Sequence, residues 1–128
     1  MPAGLLGQDL TRVPTSRKVV ALTFDAGANA DAVASILATL AAKNVPATFF
    51  LTGNFVTAYP NASRQIAARY PIGNHSVSHP DFTTLSNSQV VDQIRGAARQ
   101  IEQVTGHSPR PYFRFPFGAV NQRVIGLV

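Results

Sequence analysis

Cysteine is absent, so neither disulfides nor thiolate metal sites are available to this chain. Charge is scarce as well. Charged residues make up 13% against 45% hydrophobic, a balance that supplies a core and argues against disorder. No apolar run approaches the length of a membrane-spanning helix, so membrane insertion is not expected. The opening MPAGLLGQDLTRVPTSRK lacks the apolar stretch of an intact signal peptide. Acidic residues are the scarcer sign, six against eleven basic, leaving +5 at pH 7. The basic residues scatter from Arg12 to Arg123 and form no stripe interleaved with aromatics, so nucleic acid is not an expected partner. A modest pull toward anionic surfaces is what the charge supports.

What is present fits one domain of 128 residues. Residues 1–17, with Pro and Gly and no clear period, read as a lead-in. KVVALTF (18–24) and ATFFL (47–51) read as buried strands. PIGNHS is a short third strand and PYFRF a fourth. Between them, Val33, Ile36, Leu37 and Leu40 fall on one helical face. Asn44 and Pro46 stop that helix. Pro60 to Tyr70 is a second helix, opened by its proline. A third follows the capping box of Ser86 and Gln89, places Val90, Val91, Ile94, Ala98, Ile101 and Val104 inward, and ends at Gly106. NQRVIGLV begins a fourth. The alternation predicts a parallel sheet with helices outside, a fold class in which chemistry sits at the C-terminal ends of the strands.

Chemistry-bearing residues cluster at those ends. His75 and His79 stand four apart. On a helical turn two such imidazoles share a face and can chelate one ion, and neutral imidazole suits zinc and related metals. The same pair can also fill an ordinary turn. Asp25 directly follows a buried strand, where a carboxylate is costly unless paired or functional. Arg114 is its expected partner, either as a structural ion pair or to orient Asp25 as a general base. In RFPFG (114–118) the proline and glycine allow a sharp turn that can aim the Phe117 amide into a cleft toward an oxyanion, or form a turn and nothing more. His107, in GHSP, reads as a surface loop residue. Phe49, Phe50, Tyr112, Phe113 and Phe115 read as core.

Taken together, three stretches resemble the polysaccharide deacetylase family, the NodB-homology carbohydrate esterases. TFDAG is similar to its first motif, usually Thr-Phe-Asp-Asp-Gly; HSVSH matches its His-Ser/Thr-x-x-His pair; RFPFG resembles its third motif. ATFFLTG and YPIGNHSVSHPDFTTLS read like the family's connecting segments. The resemblance spans residues 18–128. It implies an α/β fold, a distorted (β/α) barrel, here incomplete at about four βα units. It also implies metal-dependent hydrolysis of the acetamide of an N-acetylated polysaccharide, with chitin-like oligomers or peptidoglycan glycan as substrate. Residue by residue, it makes His75 and His79 ligands of a divalent ion, zinc or cobalt. Asp25 becomes the catalytic base, Arg114 the residue that orients it, and Phe117 the donor of an oxyanion amide to the substrate.

Two departures from the family pattern shape the expectation. Position 26 is alanine where the family has its third, carboxylate ligand, and alanine cannot ligate; Asn29, Asp31 or water are the candidate replacements. The family's last two motifs, an Asp-Trp-type segment and a Leu-x-His segment, have no counterpart. Residues 18–128 are therefore expected to form part of a deacetylase domain. Such a part should expose a sheet edge, completed by further residues or by self-association. Weak or absent activity is expected, in a protein that is secreted or attached to the cell envelope, where such polymers are. A non-catalytic glycan-binding or structural domain is the alternative. A different metal hydrolase, such as a phosphoesterase, would want more carboxylates than the chain offers.

Overall fold

The computed structural model describes residues 4, 7–12 and 14–128. The lead-in expected over 1–17 thus lies partly outside the described residues. Three parallel strands, β1 (Thr23–Ala26), β2 (Thr48–Leu51) and β3 (Ile72–Asn74), pair in sequence order. Helix α1 (Val33–Ala42) crosses from β1 to β2, and α2 (Gly53–Ala58) with α3 (Pro60–Ala67) crosses from β2 to β3. The long α4 (Asn87–Thr105) packs on α2 and α3, and α5 (Gln122–Ile125) lies near the end of the chain. This is a partial parallel sheet with helices, as in an incomplete barrel.

Capping chemistry sets the helix ends. Ser86 and Gln89 form the expected capping box, and Gly106 closes α4 in the left-handed region at φ 74°. Sequence reasoning missed α2, placing no element between ATFFL and the helix that opens at Pro60. Thr52 is in fact the N-cap, its side chain accepting from the Phe55 amide. Phe55 and Val56 of α2 then join Leu51, Ile66, Ala97 and Ile101 in a core between the sheet and the helices. A second cluster, Phe82, Val90 and Val124, sits with Phe113 and Phe115 at the other end of α4.

Two strand expectations are corrected. The first strand does not begin at Lys18: β1 starts at Thr23, opposite Thr48, where β2 begins, and just before it the Leu22 carbonyl still accepts from the Thr48 amide. Val19, Val20 and Leu22 are exposed accordingly. PYFRF does not form a full fourth strand. It makes one parallel bridge, Asn74 with Phe113, through two hydrogen bonds. Phe49 and Phe50 are buried as expected, whereas Tyr112 is exposed.

A cross-strand row decides how the sheet meets the site. Asp25, Phe50 and Gly73 stand opposite one another on adjacent strands. A Cβ on Gly73 would lie 2.6 Å from the Phe50 ring and 3.0 Å from the Tyr112 Cβ. Glycine therefore lets the Phe50 ring lie across the sheet. Gly73→Ala is expected to cost about 1–3 kcal/mol through that overlap, read as a lower denaturation midpoint in urea. An unchanged midpoint would show that the ring moves aside freely.

Candidate active site

Arg114 lies on the surface that this row builds. Its guanidinium carbon sits 4.2 Å from the centroid of the Phe50 ring. From there it donates to Asp25 Oδ1 at 2.6 Å and to the Thr23 hydroxyl at 3.0 Å. The aromatic face and two acceptors fix the guanidinium, which in turn fixes the carboxylate. Asp25 and Arg114 are 44% and 34% exposed, so the pair is worth at most about 1 kcal/mol to stability. Its consequence is orientation.

His75 is buried and continues the sheet, its amide donating to the Leu51 carbonyl. Its ring Nδ1 lies 2.9 Å from the Arg114 carbonyl oxygen. A carbonyl only accepts, so Nδ1 carries the proton and Nε2 keeps its lone pair. Nε2 faces Asp25 Oδ2 at 3.8 Å, beyond hydrogen-bonding distance. The His75 and His79 rings meet edge to face with centroids 4.7 Å apart, and the Phe117 ring meets His79 in the same way at 4.5 Å. Phe117 is 74% exposed with a left-handed backbone, φ 59°. All five residues line one cleft of about 1220 Å³.

The histidines do not share a helical turn. Ser76 and His79 adopt positive φ, 67° and 59°. Four successive amides bond to side chains instead of to carbonyls one turn back. The Ser76 amide donates to Asn74 Oδ1, the Val77 and Ser78 amides to Gln93 Oε1, and the His79 amide to Ser76 Oγ. The carbonyls of Ser76 and Val77 accept from Gly53 and Asn54, the first amides of α2. Sequence reasoning missed Asn74 and Gln93 in this role; Gln93 lies in an ordinary helical stretch and gives no local signal.

Burial pushes His75 below the ordinary histidine value of 6.5, outweighing the bond to the Arg114 carbonyl and the attraction of Asp25. Below pH 6.5 the unfolded chain therefore binds a proton that the folded chain resists. Stability is expected to fall as pH drops from 6.5 toward the lowered folded value, with a slope of at most about 1.4 kcal/mol per pH unit. Asp81, lowered by hydrogen bonds from the Thr83 side chain and amide, contributes stability lost only as pH falls through the region below 3.8. The His75 window opens at the higher pH. Urea midpoints across the upper window, for the native chain and for His75→Asn, check this; an equal slope in both would contradict it.

The donor set does not complete the metal site that the resemblance implies. His75 and His79 are together, yet among the described residues no group of three His, Cys, Asp or Glu is arranged to hold an ion. Ala26, next to Asp25, packs against the core and offers no donor atom. Of the candidate replacements, Asn29 accepts from the Asp31 amide in a local turn, and Asp31 is exposed. His107 is exposed in its loop, as expected.

The polysaccharide deacetylase family matches residues 12–128. The peptidoglycan-N-acetylglucosamine deacetylase PgdA of Listeria monocytogenes is 33% identical over 97% of this chain and 26% of its own length. A chitooligosaccharide deacetylase of Azorhizobium caulinodans is 30% identical over 97% of this chain and 59% of its own. The chain thus spans about a quarter of the first relative's length and about three fifths of the second's. Among solved structures, the CE4 family pseudoenzyme BA3943 of Bacillus anthracis superposes with a TM-score of 0.83 at 33% identity, over 88% of this chain and 40% of that one. A mutant of it with restored enzymatic activity gives the same score at 34% identity, covering 88% and 41%. On the match over residues 12–128, this chain belongs to the polysaccharide deacetylase family.

Proposed function

We propose that this chain is a deacetylase-type domain that binds N-acetylated polysaccharide and, with Ala26 in place of a third donor, hydrolyses its acetamide weakly or not at all. The observation that carries this is the Asp25 carboxylate, held by Arg114 with one oxygen free beside His75. In the reaction this supports, a water adds to the acetyl carbonyl while Asp25 Oδ2 takes its proton. The Phe117 amide, on its left-handed turn, donates to the developing oxyanion. The carbon–nitrogen bond then breaks, releasing acetate and a free sugar amine, and protonated Asp25 can return its proton to that amine. His75 and His79 are the two imidazoles that would face a divalent ion.

The relatives that act on peptidoglycan and chitooligosaccharides support N-acetylated glycans as the substrate class, and with it a secreted or envelope location. Among the described residues β1 has no neighbour on its outer side and the segment at Phe113 makes a single bridge. This supports residues 18–128 as part of a barrel completed by further strands or by a second copy.

A non-catalytic glycan-binding role is the second reading, favoured by Ala26 and by the likeness to a pseudoenzyme. The test is binding of an N-acetylglucosamine oligomer, with and without chelator, alongside acetate release. Saturable binding indifferent to chelator, with acetate near background, is expected. Abundant chelator-sensitive acetate would overturn the weak-activity part, and no binding at all would remove the glycan.

A further inference from the structure

We propose that Gln93, on α4, is the positioning residue that sets His79 against His75. Between those histidines the chain has no regular secondary structure, so its shape depends on where its amides go. Two of the four amides, Val77 and Ser78, end on the single oxygen of Gln93, at 2.9 and 3.0 Å. The other end of the same side chain donates to the Ser78 hydroxyl at 3.1 Å. With two N–H donors on one side and a hydroxyl on the other, the orientation of the amide group is determined by its partners. Gln93 is thus tied to three groups on two consecutive residues.

The anchor is rigid because α4 is. At the next residue, the Ile94 carbonyl accepts from the Asn74 side chain, whose oxygen receives the Ser76 amide. Gly96, three residues beyond Gln93, lies so close to the turn that an added Cβ would stand 2.8 Å from the Val77 methyl. Helix α4 therefore touches the histidine turn at three successive points. Gln93 is the one that holds the half leading into His79, where the backbone adopts the left-handed region at φ 59°. Without it, the half-buried Val77 amide and the exposed Ser78 amide lose their acceptor, and the residues just before His79 lose what holds them.

This inference rests on the reading that His79 belongs to the site, but its test needs neither metal nor turnover. In the native chain, nuclear Overhauser contacts between the His75, His79 and Phe117 rings report the geometry directly. Gln93→Leu is expected to abolish the His79 contacts while amide signals of β1 and β2 stay in place. Gln93→Glu keeps an acceptor for both amides and can receive the Ser78 hydroxyl proton, so it is expected to restore them. Gln93→Asn keeps the chemistry but falls one methylene short. It is expected to behave like leucine, and serves if leucine fails to fold. Ring contacts preserved in Gln93→Leu or Gln93→Asn would overturn the proposal, as would their loss in Gln93→Glu. If the contacts respond as expected but glycan binding does not change, the positioning stands and the functional reading of the site fails.

Discussion

Zinc or cobalt binding is expected to tighten by at least about 10–100-fold when Ala26 is replaced by aspartate. The present donor set ends at two imidazoles, His75 with its Nε2 lone pair directed into the cleft and His79 beside it. Ala26 stands at the C-terminal end of β1, directly across from Leu51, whose carbonyl holds the His75 amide. A carboxylate there would add a charged oxygen within the same three-strand neighbourhood. Loss of a residue that merely supports a ligand costs about 10–100-fold in affinity, and gain of a direct donor should return no less. Calorimetry on the native chain, on Ala26→Asp, and on Ala26→Asp carrying His75→Ala and His79→Ala checks this. Affinity unchanged by the aspartate would mean that residue 26 does not face the histidines. Tight binding that survives loss of both histidines would mean that the ion sits elsewhere.

In that Ala26→Asp background, Asp25→Asn is expected to lower acetate release by about 10²–10⁴-fold. The same substitution should change folding stability by no more than about 1 kcal/mol. Asparagine is close in shape, and its oxygen can still accept from Arg114, but it cannot take a proton from water. The exposure of both partners makes the ion pair a weak contributor to folding. A large loss of rate with an almost unchanged melt and unchanged metal affinity would mark Asp25 as the base. An unchanged rate would reduce it to a structural partner of Arg114.

The residues that meet in the candidate site's cleft were readable along the chain, because the histidine spacing, the aspartate after a strand and the arginine before a proline are local patterns. The helices with strong signals were readable for the same reason: the Ser86–Gln89 box and Gly106 bound α4 by chemistry within a few residues. α2 was not, since its cap, Thr52, also ends a strand and only six residues follow. The fourth strand was overread because a β-rich run needs a neighbour of matching length, and Phe113 finds only Asn74. Of the two turns open to the histidine pair, the helical one does not form because side chains compete for its amides. One competitor, Gln93, is distant in sequence.

By itself, then, the sequence determined the family, the parallel βα order and the residues capable of chemistry. It also determined what is lacking, since no fold can give Ala26 a donor atom. Tertiary structure alone decided the arrangement. Arg114 reaches Asp25 across 89 positions because Gly73 leaves room for the Phe50 ring beneath it. The tautomer of His75 is set by a carbonyl 39 residues away. These contacts depend on strand register and on an absent side chain, and a linear pattern records neither.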